Sequence, residues 1–298
     1  INRFSADFSD SISVNNGSGA LLITAEGIAG SLSVIPSLSI AGVALSAEQV
    51  DLEFNTLTTS VSRTLEVGGE TVVLDLPSAL SETSPYLSLV ITGAVMDING
   101  LGDGQDVQLS GNFAFENKTV SGLGEVSLLS VSEGTLSFIN EGDSLEVTEV
   151  NGALAIINGG VAGNLNFSIA AESESALAEG DYRVTLNNTN QAVQIEAAFA
   201  NLDIIAGPFF ELSVFNLNLN FGALVVTGDF SIKAVNNGSE SIDLLLGNKV
   251  SVFVGSGEGD DRIGFLLSEG TAVFYQEGGD NKAGFIEGRV QVLGIPDF

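Results

Sequence analysis

Polar and apolar residues alternate one for one along most of this chain, and no other feature of the sequence restricts the fold as strongly. Ser11-Ile12-Ser13-Val14, Ser31-Leu32-Ser33-Val34 and residues 212–221 (LSVFNLNLNF) are clear instances. Successive side chains of a strand point to opposite faces, so the pattern describes sheet with one wet and one dry side. Val, Ile, Phe and Thr supply the strand propensity. The five prolines (Pro36, Pro77, Pro85, Pro208 and Pro296) are expected at strand ends. No segment reads as a convincing helix; residues 78–84 and 172–179 hold at most one or two turns, or a loop.

Paired strands are legible from the turns between them. Residues 209–220 and 223–235 flank Phe221-Gly222. Residues 87–98 and 107–116 flank the acidic Gly-rich stretch 99–104, and 262–276 and 283–293 flank 278–281. Short Gly-rich connections join antiparallel neighbours. The expected fold is all-β: an elongated stack of repeated, mostly antiparallel, long-stranded modules, arranged as a tandem β-sandwich or a flattened β-roll. A parallel β-solenoid is the alternative.

The chain also repeats itself. Residues 19–30 (GALLITAEGIAG) and 152–163 (GALAIINGGVAG) agree at seven of twelve positions, at an offset of 133. Residues 10–14 match 143–147 at the same offset, and 50–56 resemble 184–189 at nearly the same one. Gly111-Asn-Phe-Ala-Phe115 matches Gly228-Asp-Phe-Ser-Ile232 at 117, the shortfall falling where the first copy carries the extra stretch 58–86. A third start is expected near Gly264. The division is therefore a first repeat over 1–151, with the tail of a preceding unit at 1–18, and a second over 152–298. This phase predicts a segment of a longer array, since end repeats normally carry distinct caps.

The strings 107–116 (VQLSGNFAFE) and 226–232 (VTGDFSI), with the Gly-x-Ala-Gly ends of the aligned blocks, resemble the tandem repeats of giant extracellular bacterial surface and adhesin-like proteins. That resemblance implies a structural role for the repeats and identifies no active residue.

Composition narrows the chemistry. With 9 Lys+Arg against 38 Asp+Glu, the net charge is −29, which repels nucleic acid. The absence of Cys removes disulfides and thiolate zinc sites, and the absence of His removes the Ser-His-Asp triad. No apolar run reaches the ~18 residues of a membrane helix. Acidic pairs such as Asp51/Glu53 and Asp260/Asp261 match a glycosidase in residue type, but there is no Trp and there are only three Tyr to stack a sugar. The chain is read as no enzyme.

Two acidic loops are candidate cation sites. One offers Asp97, Asn99, Asp103 and Asp106, and calcium takes 6–8 oxygen ligands from loops of this kind. The other, 256–263, resembles a single calcium-binding nonapeptide of the RTX type and brings Asp260 and Asp261, although such sites stack in consecutive copies. An ordinary solvated turn accounts for the same residues. Five glycosylation sequons occur, at Asn16, Asn117, Asn166, Asn187 and Asn237. The 18 Phe are read mainly as core, and terminal Phe298 is reminiscent of an outer-membrane barrel signal, though the Tyr and Trp girdles of a barrel are missing.

The expected role is a structural repeat segment of a secreted bacterial protein that builds a fibre, surface layer or adhesin stalk by end-to-end stacking. Its partners are copies of itself or neighbouring repeats, outside the cell or on its surface. The alternative is a calcium-dependent ligand-binding adhesin module.

Overall fold

A computed structural model describes residues 4–9, 12–40, 43–67, 69–81, 84–99, 106–140, 143–157, 160–173, 176–236, 241–257, 259–277 and 281–294. The strands are β1 (Phe4–Ser9), β2 (Ile12–Ile23), β3 (Ile28–Ile40), β4 (Val43–Ser46), β5 (Gln49–Asn55), β6 (Val61–Val67) and β7 (Glu70–Leu76). There follow β8 (Tyr86–Asn99), β9 (Asp106–Val120), β10 (Gly124–Asn140), β11 (Asp143–Ile157), β12 (Gly160–Ser173) and β13 (Ala176–Asn187). The chain continues through β14 (Val193–Glu196), β15 (Asn201–Ile204), β16 (Phe209–Asn220), β17 (Leu224–Asn236), β18 (Ser241–Ser256), β19 (Ile263–Glu277) and β20 (Asn281–Leu293).

Sixteen of these strands form one sheet, and every strand pairing is antiparallel. The chain is all-β, and the parallel solenoid is excluded by this ladder. The sheet is a meander, because the alternating segments are joined by turns too short for a crossover. Two hairpins, β6–β7 and β14–β15, leave the meander and form separate two-stranded sheets. Of residues 172–179, Glu172 and Ser173 end β12 and residues 176–179 begin β13, so the described part is strand; 174–175 lie outside the described residues. Pro36 is a correction: it lies inside β3, opposite Val14. It is tolerated because the strand on its other side changes there, from β5 (Val34↔Val50) to β4 (Ser37↔Ser46).

The repeat has a strand-level form. The first set is β2, β3, β4 with β5, β8, β9 and β10; the second is β11, β12, β13, β16, β17 and β18. The accessory hairpin follows the third position in each, and β19 stands where β2 and β11 stand. Asn151 is inside β11, paired with Asn166, so the copies meet without a linker.

A single residue inserted in mid-strand keeps the faces in phase. Asn16, Glu133, Glu149, Asn216, Lys249 and Glu269 take φ of 51 to 54°, and Gly93 takes 59°. A register shift accompanies each, as between Ser132 and Thr135 against β9. In β10 the apolar positions run Leu129, Val131, then Leu136, Phe138; Glu133 is the extra residue that returns them to one face. The N–H freed by the bulge is capped from the next strand. Gly93 donates to Asn112 Oδ1 (2.8 Å), Glu133 to Asn151 Oδ1 (3.1 Å) and Asn216 to Asp229 Oδ1 (3.0 Å). The repeated strings Gly111-Asn112-Phe113 and Gly228-Asp229-Phe230 thus have a mechanical reason. Each glycine has φ near +140° against a neighbouring backbone (142° and 144°), and the next residue caps the bulge.

The two faces of the sheet differ. On one, a row of directly opposed residues runs through Val34, Val50, Ile91, Phe113 and Val131. It continues through Leu165, Val184, Leu212, Ile232, Leu245 and Phe274. Past the bulges a second row includes Phe138, Leu145, Leu219, Val226, Val252 and Leu267. The other face is mostly polar or small in residue, apart from the apolar residues under the hairpins and Leu244, Leu246, Phe253, Val273 and Phe285 toward β20, and it carries both accessory hairpins. The accessible surface is 17275 Å² for a 30.7 kDa chain. A globular protein of that mass exposes roughly 12,000 Å². The excess reflects a sheet whose apolar face has no layer over it among the described residues.

Candidate functional site

Burial concentrates where the hairpins lie on the sheet. In the first copy Leu22, Ala29, Asn55 and Tyr86 face one another across four strands; in the second, Ala155, Ala162, Asn187 and Phe209 do so. Alanines keep these rows low, so a hairpin can approach. Val61, Leu74 and Leu76 cover the first row and Val193, Ile195, Leu202 and Ile204 the second, all at most 6% exposed.

Each hairpin is tied down by one buried asparagine. Asn55 donates from Nδ2 to the carbonyls of Thr59 (3.0 Å) and Pro77 (2.7 Å), and its Oδ1 accepts from the Leu57 N–H (2.8 Å). Asn187 donates to Gln191 and Ile205 (both 2.8 Å) and accepts from the Thr189 N–H (2.8 Å). Both side chains are fully buried. A carboxamide offers two donors and an acceptor on one short stem, which matches the three backbone groups at the root of each hairpin. Asn187 is therefore structural, and Asn117 likewise gives its amide to the Pro85 carbonyl.

The two sites are completed differently. The second core includes Leu123, Val126 and Leu128, which belong to the end of the first copy. Its hairpin is also held from that side, Lys118 Nζ donating to the Glu196 carbonyl at 2.7 Å. The first hairpin has no such neighbour among the described residues. β1 pairs with β2 only up to Gly17, so the end of β2 that carries Leu21 and Ile23 pairs with β3 alone. Those two side chains are 54% and 71% exposed. An open cleft of about 770 Å³ stands there, lined by Leu22, Thr24, Glu26, Thr56, Ser60 and Arg63 among others.

The sequence-predicted cation residues do not converge among the described residues, where no group of three or more Asp or Glu is placed to hold a metal. Asp97 lies on β8 and accepts from Gln108 Nε2 at 2.7 Å. Asn99 and Asp106 are opposite one another at the end of β8 and β9; their side chains, and Asp103 altogether, lie outside the described residues, as do Asn237 and Phe298. The RTX-like peptide forms a single 3-10 turn, Gly259–Asp261, in which Asp261 is exposed and Arg262 Nε donates to the Gly259 carbonyl at 3.0 Å. The side chain of Asp260 is not described.

Other acidic groups are engaged by neighbours. Both Asp51 oxygens accept from Gln49 Nε2. Glu53 accepts from the Tyr86 hydroxyl at 3.4 Å; burial pushes its carboxyl above the ordinary value, against the lowering effect of that hydrogen bond. Burial, with the charge of Glu53, pushes the Tyr86 phenol up to about 12. Hydrogen bonds from Asn216 and Ser168 hold the exposed Asp181 carboxyl below its usual range.

At the far side of the sheet, among the described residues, β20 pairs only with β19. Phe285, Ile286 and Val290 on it are 53%, 62% and 69% exposed. A long strand with an unpaired ladder and exposed apolar residues is a template for another strand. Among the described residues no helix is long and apolar enough to cross a membrane. No protein-family model, curated protein or solved structure matches this chain.

Proposed function

We propose that this chain is a structural repeat segment in which each copy adds six strands and one hairpin to a continuous sheet, building a fibre, surface layer or adhesin stalk of a secreted bacterial protein. One observation carries the reading. The second hairpin core is assembled from two successive copies, and the equivalent place in the first copy is an open cleft. Each unit is thus completed by strands of the unit before it. The charge of −29 keeps such arrays apart and soluble.

The test is to supply the missing strands. Residues 106–136 of this chain, fused ahead of Phe4 in place of residues 1–3, continue the 133-residue phase and present the β9–β10 pair to the open end of β2. The expected result is slower hydrogen exchange across residues 61–76 and a higher melting temperature. An extension that stays unprotected and leaves the first hairpin unchanged would end the proposal.

A further inference from the structure

We propose that the uncovered apolar face is the contact surface for a second copy of this chain, the two sheets packing face to face. The edge contacts discussed above lengthen the sheet; this contact joins two sheets through their broad sides.

The size of the face fits such a partner. Its apolar rows cross thirteen strands from β3 to β20, and at ~4.8 Å per strand that is about 60 Å. With two further rows on the same face, through Leu52, Leu89, Phe115, Leu129 and Leu154 and through Phe167, Tyr182, Val214 and Phe230, four rows two residues apart along the strands give the patch a width of roughly 25 Å. The product, about 1,500 Å², exceeds the ~800 Å² that each partner of a stable complex buries. The side chains on it are already half in contact with their own neighbours, yet Leu129, Phe210, Ile232 and Phe274 remain 41 to 45% exposed.

Charge selects the partner. The chain carries a net −29, but the rows through Val34 to Phe274 and through Phe138 to Leu267 contain no Asp, Glu, Lys or Arg. Two copies can therefore meet on this face with their carboxylates turned outward, whereas an approach by the opposite face sets acid against acid. Extent selects it as well: a second copy brings a face of the same length, the same row spacing and the same in-phase bulges.

The experiment is sedimentation of the full chain beside an Ile232→Lys/Phe274→Lys variant and a Val73→Lys control, whose 63% exposed side chain is on the first hairpin. The wild type and the control are expected to sediment as dimers. The double variant is expected to dissociate at about tenfold or more higher concentration, with an unchanged circular dichroism spectrum. Should the double variant not fold, a single Ile232→Cys serves, since the chain has no cysteine to compete for a spin label. Dipolar coupling between labels on two copies is expected there and not at Val73→Cys. A strictly monomeric wild type across its soluble range, coupling absent at Ile232→Cys, or association with neutral phosphatidylcholine vesicles in place of self-association would each overturn the proposal. The fusion described above reports only on the first hairpin, so either idea can fail alone.

Discussion

The two accessory hairpins occupy equivalent places but are not equally supported. The first has strands of seven residues and the second of four. The shorter one is nevertheless the better buried, because Val126 and Leu128 of the adjoining copy close its flank while the longer one borders a cleft. Hairpin length is thus free to vary. What both copies keep is the low row of residues beneath and the asparagine at the root. At the position where the second hairpin buries Ile195, the first exposes Arg63, as expected of a flank in contact with water.

The largest expected effect comes from emptying each core. Leu202→Ala and Leu74→Ala should each cost about 2–5 kcal/mol in denaturant unfolding. The loss at Leu202 should extend to the amides of β10, and that at Leu74 should stay within residues 61–76 by hydrogen exchange. Removing the anchors is next: Asn187→Ala and Asn55→Ala strand two carbonyls and an N–H each, at about 3 kcal/mol. A slightly larger loss is expected at Asn187, because its Oδ1 also accepts from the Thr189 hydroxyl at 2.7 Å, where the first copy has Leu57. Arg63→Ile makes the first hairpin more like the second and should raise stability by up to about 1 kcal/mol, read as a shift in urea midpoint; no gain in the 106–136 fusion, where the flank is covered, would argue against the equivalence.

The smallest effect is a pH difference between the copies, since Tyr86 stands where the second copy has Phe209. The folded-state phenol is raised to about 12 from 10. Its contribution is therefore intact below pH 10 and is lost as pH rises from there through 12. Tyr86→Phe should flatten this alkaline loss in a melting series. Unchanged alkaline sensitivity would place its origin in another group.

Much of this was legible in the alternation. Strand content and the antiparallel pairing of the strands that flank Phe221-Gly222 and residues 99–104 follow from period two and from Gly-rich connections. The matched strings at Gly111 and Gly228 pointed to a shared place in the repeat, and the structure supplies the reason in the capped bulges. The departure of the accessory hairpins from the sheet was not legible. Residues 61–67 and 193–196 alternate as any other strand does, and only tertiary contact separates them from the meander. The 50–56 against 184–189 alignment was off by one at its Thr56 end, because Asn55 corresponds to Asn187 and the adjacent Asn188 disguises the register. Pro36 misled for a related reason: a proline marks a missing ladder bond, and that bond can be missing in mid-strand when the neighbour changes.

Each copy contributes an even number of strands to the meander. After every copy the polypeptide therefore travels in its original direction, and both hairpins fall along one rim of the ribbon. An odd count would send alternate knobs to opposite rims and cancel the asymmetry. A ribbon grown by this parity has a front and a back along its length, so any crosslink, proteolytic nick or modification specific to the knobbed rim recurs at a fixed interval and always in the same orientation.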